Sequence, residues 1–158
     1  MSRPPEKGRT RRRKPATQVA ALCIAPDLER VLLITSRGTG RWIVPKGWPM
    51  QGRSLPRTAL EEAWEEAGVQ GSVGKTELGR YHYEKLRDHG FAIPVEVRLY
   101  PVAVTRLASQ FPEAGQRRLQ WFAPGEAARQ VAEPALGQLI ADLPRHAEAG
   151  LIPGVKRG

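Results

Sequence analysis

Residues 47–69 read GWPMQGRSLPRTALEEAWEEAGV, and this stretch decides the fold. It begins as a loop rich in proline and glycine and becomes a helix near Ser54, whose side chain suits a helix N-cap. Pro56 follows in the first turn, where its missing N–H costs little. Gly68 suits the left-handed conformation that ends a helix. The apolar residues between them recur at helical spacing and define a buried side: Leu60, Ala63, Trp64 and Ala67.

The same helix carries a cluster of acidic residues: Glu61, Glu62, Glu65 and Glu66. Residues three or four apart share a helix face, so Glu62, Glu65 and Glu66 are predicted to point the same way. Hard divalent cations such as Mg²⁺ take oxygen ligands, usually one or two carboxylates together with waters and a substrate phosphate. Taken alone, the cluster fits either a metal site or a solvated acidic helix face.

The segment before the helix favours the metal site. Residues 41–49 read RWIVPKGWP, a short apolar strand that ends in a loop at about Gly47. From Gly47 the spacing is five residues, a charged residue, seven residues, and then residues 61–69. This pattern resembles the Nudix box, which reads Gly, five residues, Glu, seven residues, Arg-Glu-apolar-any-Glu-Glu-any-Gly-apolar. Seven positions match it in register: Gly47, Glu62, Ala63, Glu65, Glu66, Gly68 and Val69. The resemblance implies a Nudix hydrolase with an α/β/α sandwich built on a mixed β-sheet.

Two positions depart from the Nudix box. Arg53 stands where the box has its first Glu, and Glu61 stands where it has Arg. The resemblance implies that these two positions pair and brace the catalytic helix, so an Arg53–Glu61 ion pair is predicted to do so with reversed polarity. The alternative is that the exchange marks weakened activity. Because Glu62, Glu65 and Glu66 are all present, we favour retained catalysis.

The resemblance also implies site residues. Mg²⁺, or Mn²⁺ in its place, is expected to be held by Glu62, Glu65 and Glu66, with the Gly47 backbone carbonyl as a further ligand. Those three glutamates are also the predicted catalytic residues, and either Glu65 or Glu66 is expected to act as the base. Two glutamates outside the box, Glu96 and Glu113, could contribute to the site, but exposure to solvent is the favoured interpretation of each.

A narrower resemblance concerns the substrate. Residues 41–47 and the stretch from Val102 to Phe122 resemble diphosphoinositol polyphosphate phosphohydrolases, which cleave phosphoanhydrides in inositol pyrophosphates and often in diadenosine polyphosphates. Cationic side chains near the box suit such densely anionic substrates. The residues predicted to bind substrate are Arg37, Arg41, Lys46, Arg117 and Arg118, together with Trp48, which would wall the substrate or cover the core.

Three hypotheses of function remain. The first is metal-dependent hydrolysis of a small anionic phosphoanhydride, either an inositol pyrophosphate or a diadenosine polyphosphate. The second is a Nudix hydrolase acting on another nucleotide derivative or an RNA 5′ end. The third is a catalytically weakened module that binds polyphosphate. We favour the first.

Composition predicts one small domain. The chain has 158 residues, 41% of them apolar, and a net charge of +9. Residues 1–15 carry seven basic residues and one glutamate, or +6, and are predicted to form a disordered basic tail. Residues 16–150 are predicted to form the domain and residues 151–158 a C-terminal tail. The basic tail suits nucleic acid, but it lacks the aromatic residues that stack on bases, so that partner is not favoured.

Other features bear on location. No apolar run approaches the length of a membrane span, and no secretory signal is evident. The single cysteine, Cys23, is expected in the core. A cytoplasmic protein is therefore predicted, and the sequence leaves the oligomeric state open.

The rest of the chain alternates between strands and helices. Strands are predicted at residues 17–25, 30–36, 41–44, 78–84, 94–107 and 117–122, with a hairpin turn at Pro26 and Asp27. Helices are predicted at residues 124–131 and 134–147.

Overall fold

A computed structural model describes residues 14–87 and 90–154. Eight strands and four helices occupy the described residues. The strands are β1 (Ala16–Ile24), β2 (Val31–Thr35), β3 (Trp42–Ile43), β4 (Lys46–Gly47), β5 (Val69–Val73), β6 (Gly79–Leu86), β7 (Ala92–Leu107) and β8 (Leu119–Phe122). The helices are α1 (Leu55–Ala67), α2 (Pro124–Gln130), α3 (Pro134–Ala141) and α4 (Leu143–Glu148).

All eight strands belong to one mixed sheet. Its central path runs β3-β2-β1-β7-β5. β1 and β7 run parallel over nine paired positions, while β2 and β4 pair antiparallel with β1. β6 and β5 pair antiparallel with the first and second halves of β7. The predicted mixed sheet is therefore confirmed.

Buried side chains lie on both faces of this sheet. On one face, α1 packs through Ala59, Ala63 and Ala67 against the sheet. On the other face, α2, α3 and α4 cover a second apolar cluster that includes Leu22 and Leu99. Successive residues of a strand point to opposite faces, so β1 supplies both clusters. This three-layer arrangement confirms the α/β/α sandwich.

Several predicted elements differ from those observed. The loop expected around Lys46 and Gly47 contains β4, which pairs with Ala20 and Val19 of β1. β5 was not predicted; its only β-branched apolar residues are Val69 and Val73, and it pairs with β7 with a register shift between Gln70 and Gly71. The helix expected at residues 134–147 is two helices, because Pro144 lies in the first turn of α4 and a proline interrupts a continuous helix.

The two ends of the described chain bear on the domain boundaries. Residues 1–13 of the predicted basic tail lie outside the described residues. Ile152 belongs to the segment predicted as a C-terminal tail, yet it is buried in the core. No helix in the two described ranges is long and apolar enough to cross a membrane.

Helix α1 begins and ends as its sequence predicts. The Ser54 hydroxyl accepts a hydrogen bond from the Arg57 amide at 3.3 Å. Gly68 adopts φ +70° and donates its amide to the Trp64 carbonyl at 2.9 Å. A Cβ at this glycine would also lie 2.8 Å from the Ala108 carbonyl oxygen, so both conformation and space require glycine.

An ion pair joins α1 to the loop before it. The Arg53 Nη1 atom lies 3.2 Å from Glu61 Oε1, with the two side chains 43% and 31% exposed. The pair that the charge exchange predicted is therefore present. At this exposure it stabilises the fold by no more than about 0.2–1 kcal/mol, so its main effect is to orient the loop against α1.

Replacing Gly68 with alanine should destabilise the fold more than the same change at a glycine that needs only its positive φ. Gly40 has φ +72° and open space around its Cα, so Gly40→Ala should cost about 1–2 kcal/mol. Gly68→Ala should cost at least about 1 kcal/mol more because of the crowding. Urea unfolding measures both, and equal losses would show that the space around Gly68 relaxes freely.

Exchanging the charges of the ion pair should preserve it. Arg53→Glu places two carboxylates together and should lower the free energy of unfolding by about 0.5 kcal/mol at low ionic strength, where exposed charges are least screened. Adding Glu61→Arg should recover that loss. The measurement is a double-mutant cycle by urea unfolding, and strictly additive losses would contradict the bracing role.

Candidate active site

A cleft of about 440 Å³ opens where β4 leaves the edge of β1. Its lining comes from β1, β4, α1 and β6, and from the loops after β2 and before β8. Two of the box glutamates, Glu62 and Glu66, face into it, and four cationic side chains line it as well: Arg37, Lys46, Lys85 and Arg117. Acidic and basic groups thus share one cleft.

Strand β4 divides the cleft between the two faces of the sheet. Gly47 pairs with Val19, a residue of the cluster beneath α1, and its Cα lies against the Glu62 carboxylate. A methyl group there would overlap that carboxylate and displace it, so glycine allows Glu62 to hold its position. Lys46 pairs with Ala20 and projects toward the opposite face, where its ammonium lies over the Tyr83 ring.

Glu62 and Glu66 are one helical turn apart and their carboxyl groups face each other. Burial, the hydrogen bond to Glu66 and the negative charge of Glu66 together raise the pKa of Glu62 to about 8. The pKa of Glu66 is also raised, mainly by burial. Two carboxylates at this spacing cannot both ionise cheaply without a cation between them.

Two further contacts fix Glu66. Its Oε1 atom accepts a hydrogen bond from the Lys46 backbone amide at 3.3 Å and lies 4.0 Å from Arg117 Nη2. Each contact favours the ionised form, but burial outweighs them. The carboxylate is thus held between β4 and the loop before β8.

Arg117 connects this carboxylate to the sheet. Its side chain is only 8% exposed; Nη1 donates to the Thr35 carbonyl and Nε to Glu113 Oε1, each at 3.1 Å. The expectation that Glu113 is exposed is therefore wrong, because its carboxylate balances a buried guanidinium. Glu96 is also only partly exposed, since it pairs with Arg80 and His82 outside the cleft.

Glu65 lies apart from the other two box glutamates. Among the described residues that line the cleft are Glu62 and Glu66 but not Glu65. Burial, Glu61 and Glu113 raise the pKa of Glu65, while Arg53 lowers it. It therefore stands at the junction of the bracing ion pair and the Glu113 loop.

The donor set fits a hard divalent cation at Glu62 and Glu66. Burial and mutual repulsion raise the pKa of both carboxyl groups, and a cation bound between them would relieve that repulsion. The Gly47 backbone adjoins Glu62 and can add an oxygen. Within residues 14–87 and 90–154, no three acidic, histidine or cysteine side chains converge on one point, so Glu65 would have to move to become a third side-chain ligand.

The cationic residues predicted to bind substrate divide into two groups. Arg37, Lys46 and Arg117 line the cleft. Arg41 instead bonds to the Thr39 hydroxyl, and the Arg118 guanidinium stacks 5.2 Å from the Trp42 ring centroid, on the side of α2. The structure therefore places Arg41 and Arg118 outside the described lining.

Aromatic and amide groups complete the cleft. Trp48 stands at its rim with 40% of its surface exposed, so it walls the cleft rather than covering the core. Tyr83, Gln18 and Lys85 also line it, and the sequence analysis did not identify them. Gln18 carried a signal, as a polar residue next to an apolar run, whereas Tyr83 and Lys85 follow the ordinary alternation of β6.

Comparison with known proteins agrees with this geometry. The NUDIX domain family model matches residues 14–143. Diphosphoinositol polyphosphate phosphohydrolase 3-beta from Homo sapiens is 31% identical over 135 residues, covering 83% of this chain and 73% of that protein, and its Bos taurus counterpart is 30% identical with the same coverage.

Solved structures show the same fold at lower identity. A NUDIX hydrolase from Nitrosomonas europaea superposes with a TM-score of 0.63 at 23% identity, covering 88% of this chain and 92% of that one. An Ap4A hydrolase complex from C. elegans superposes with a TM-score of 0.61 at 16% identity, covering 85% and 98%. The family match and the acidic cleft together establish that this chain belongs to the Nudix hydrolase family and is a pyrophosphohydrolase.

Proposed function

We propose that this enzyme hydrolyses the phosphoanhydride of a small, densely anionic substrate, either an inositol pyrophosphate or a diadenosine polyphosphate. The observation that supports it is a cleft that holds four cationic side chains beside the carboxyl groups of Glu62 and Glu66. The related diphosphoinositol polyphosphate phosphohydrolases and the structurally similar Ap4A hydrolase have names that point to the same two substrate classes.

The cationic half of the cleft binds the phosphates. Arg37 is exposed and hydrogen-bonded to Gln116 at 2.7 Å, so it is oriented at the mouth of the cleft. Lys46 and Lys85 line the side toward β6. Arg and Lys neutralise phosphate oxygens that would otherwise repel an attacking water, which lowers the barrier to hydrolysis.

The acidic half supports the chemistry. Glu62, Glu66 and the Gly47 backbone would hold the divalent cation, Mg²⁺ or Mn²⁺. When bound, that cation supplies charge neutralisation and a more acidic water. Glu66 lies in the cleft and Glu65 outside its described lining, so we assign Glu66 the proton-accepting role of the two candidates. Arg117 and the Lys46 amide keep its carboxylate in place.

One observation favours the diadenosine polyphosphate. Trp48 offers an exposed aromatic face at the rim, on which a nucleobase would stack. Inositol pyrophosphates have no such group and would rely on the cations alone. Replacing Trp48 therefore separates the two substrates, since Trp48→Leu should raise KM for the dinucleotide and leave KM for the inositol compound unchanged.

Activity on a defined panel tests the proposal. The substrates are a diphosphoinositol polyphosphate, diadenosine polyphosphates, ADP-ribose and triphosphorylated RNA, each with Mg²⁺ and with chelator. We expect metal-dependent release of phosphate or nucleotide, fastest on one of the first two. Fastest turnover on RNA would favour the second hypothesis, and no turnover by a folded protein would favour a binding module.

Removing the Glu66 carboxylate should abolish turnover. Glu66→Gln keeps the shape but removes a cation ligand and the proposed base, so kcat should fall at least about a hundredfold. The matched control is Glu29→Gln, which changes an exposed glutamate remote from the cleft lining. Retained activity in Glu66→Gln would refute the assigned role.

Two arginine variants distinguish cleft binding from general surface charge. Arg37→Gln and Arg118→Gln each remove one positive charge, but only Arg37 lines the cleft. Arg37→Gln should raise KM for the preferred substrate about tenfold, as expected for a charged hydrogen bond. Arg118→Gln should stay within about twofold of wild type, and equal effects in steady-state kinetics would contradict this assignment.

A further inference from the structure

Gln18 is a buried amide next to the apolar run of residues 19–24 in β1. Its side chain belongs to β1 and is 4% exposed, among neighbours such as Val19 and Ala20 that are fully buried. Burying an amide costs free energy unless it is hydrogen-bonded. Gln18 Oε1 accepts a hydrogen bond of 2.5 Å from the Tyr83 hydroxyl. This bond offsets the cost of burying the amide and fixes the orientation of the tyrosine.

The hydrogen bond reaches across the sheet. Gln18 pairs with Val97 of β7, and Tyr83 of β6 pairs with Val95, two positions away on the same strand. Burial raises the pKa of Tyr83 to about 12, so its hydroxyl remains a neutral donor to the amide. Both ends of the bond belong to strands of the sheet, and the ring is therefore rigidly placed.

The Tyr83 ring supports the Lys46 ammonium. Lys46 Nζ lies 5.1 Å from the ring centroid, within the range of a cation–π contact. Burial lowers the pKa of the Lys46 ammonium, and the positive charges on Lys85 and Arg117 lower it further. Negative charges on Glu66 and Glu133 act in the opposite sense. The ring thus contributes an attraction where two cations repel.

We propose that Tyr83, locked by Gln18, is a positioning residue that holds the Lys46 ammonium in the cleft to receive a substrate phosphate. This inference rests on the proposed phosphoanhydride activity. The Lys46 backbone is tied to Glu66 through its amide, while its side chain is tied to Tyr83. The fold therefore fixes the distance between the Glu66 carboxylate and the Lys46 ammonium before substrate binds.

The competing explanation is that Tyr83 only packs in the core. The two explanations predict different kinetics. If Tyr83 only packs, its loss should lower the stability of the fold and weaken phosphate binding by every cationic side chain of the cleft alike. If Tyr83 positions Lys46, its loss should weaken phosphate binding only in a protein that still contains Lys46.

The experiment measures binding of inorganic tripolyphosphate by calorimetry in the presence of chelator, and KM and kcat on the preferred substrate. Lys46→Met should weaken tripolyphosphate binding about tenfold, the loss of one charged hydrogen bond. Tyr83→Leu should weaken it nearly as much and raise KM with little change in kcat. Tyr83→Phe, which keeps the ring but loses the bond to Gln18, should weaken it about threefold.

Double variants decide between the explanations. Tyr83→Leu should add nothing to Lys46→Met, because it acts through that lysine. Tyr83→Leu should add fully to Lys85→Met, the matched control, since Lys85 lines the same cleft and carries the same charge. Additive losses with Lys46→Met, or wild-type affinity in Tyr83→Leu, would overturn the proposal.

The experiment remains decisive if a variant does not fold or if the protein shows no turnover. If Tyr83→Leu does not fold by urea titration, Tyr83→Phe replaces it: its threefold loss should not add to that of Lys46→Met and should add fully to that of Lys85→Met, and additive losses with Lys46→Met would equally overturn the proposal. The tripolyphosphate measurement needs no turnover. Absent hydrolysis therefore counts against the proposed function alone, whereas an independent Tyr83 effect on binding counts against the positioning role alone.

Discussion

The contacts around the cleft are arranged to offset the repulsion between two neighbouring carboxylates on α1, those of Glu62 and Glu66. Glu62 and Glu66 are one turn apart, and burial disfavours the ionised form of both. Such a pair persists because the fold surrounds it with compensating groups. The Lys46 amide, the Arg117 guanidinium and the hydrogen bond between the two carboxyl groups each offset part of the charge. A divalent cation bound between the two carboxylates would offset it further.

Arg117 shows how the sheet and the site depend on each other. Its guanidinium is almost fully buried and contacts the end of β2, the Glu113 carboxylate and the Glu66 carboxylate. A buried charge must be paired to be tolerated, and breaking such a pair leaves an uncompensated charge. The loop before β8 is therefore anchored by the same groups that orient the Glu66 carboxylate.

The box residues were predictable because their chemistry and spacing are local. The N-cap at Ser54, the end at Gly68 and the ion pair between Arg53 and Glu61 all follow from contacts within fifteen residues of chain. Whether a predicted substrate-binding residue lies in the cleft depends instead on contacts between distant parts of the chain. Nothing local distinguishes Arg117, which turns into the cleft, from Arg118, which stacks on Trp42.

The strands show the same limit. The hairpin of β1 and β2 follows from its turn and its apolar runs, and its pairing is as predicted. β4 is only two residues long, so it exists because β1 offers an unpaired edge rather than because of its own composition. Tyr83 and Gln18 meet across an intervening strand, and no spacing along the chain signals that contact.

Lys46 and Gly47 face opposite sides of strand β4, and this bears on how such an enzyme can acquire new substrates. Consecutive residues of one short strand serve two separate tasks, the first toward the β6 side and the second against Glu62. A side chain at position 47 would displace the Glu62 carboxylate, so glycine there keeps that group in place. Position 46 and its neighbours on β6 can change freely without moving them. New substrates can therefore be acquired by replacing residues on one face of the sheet while the reaction on the other face is inherited intact.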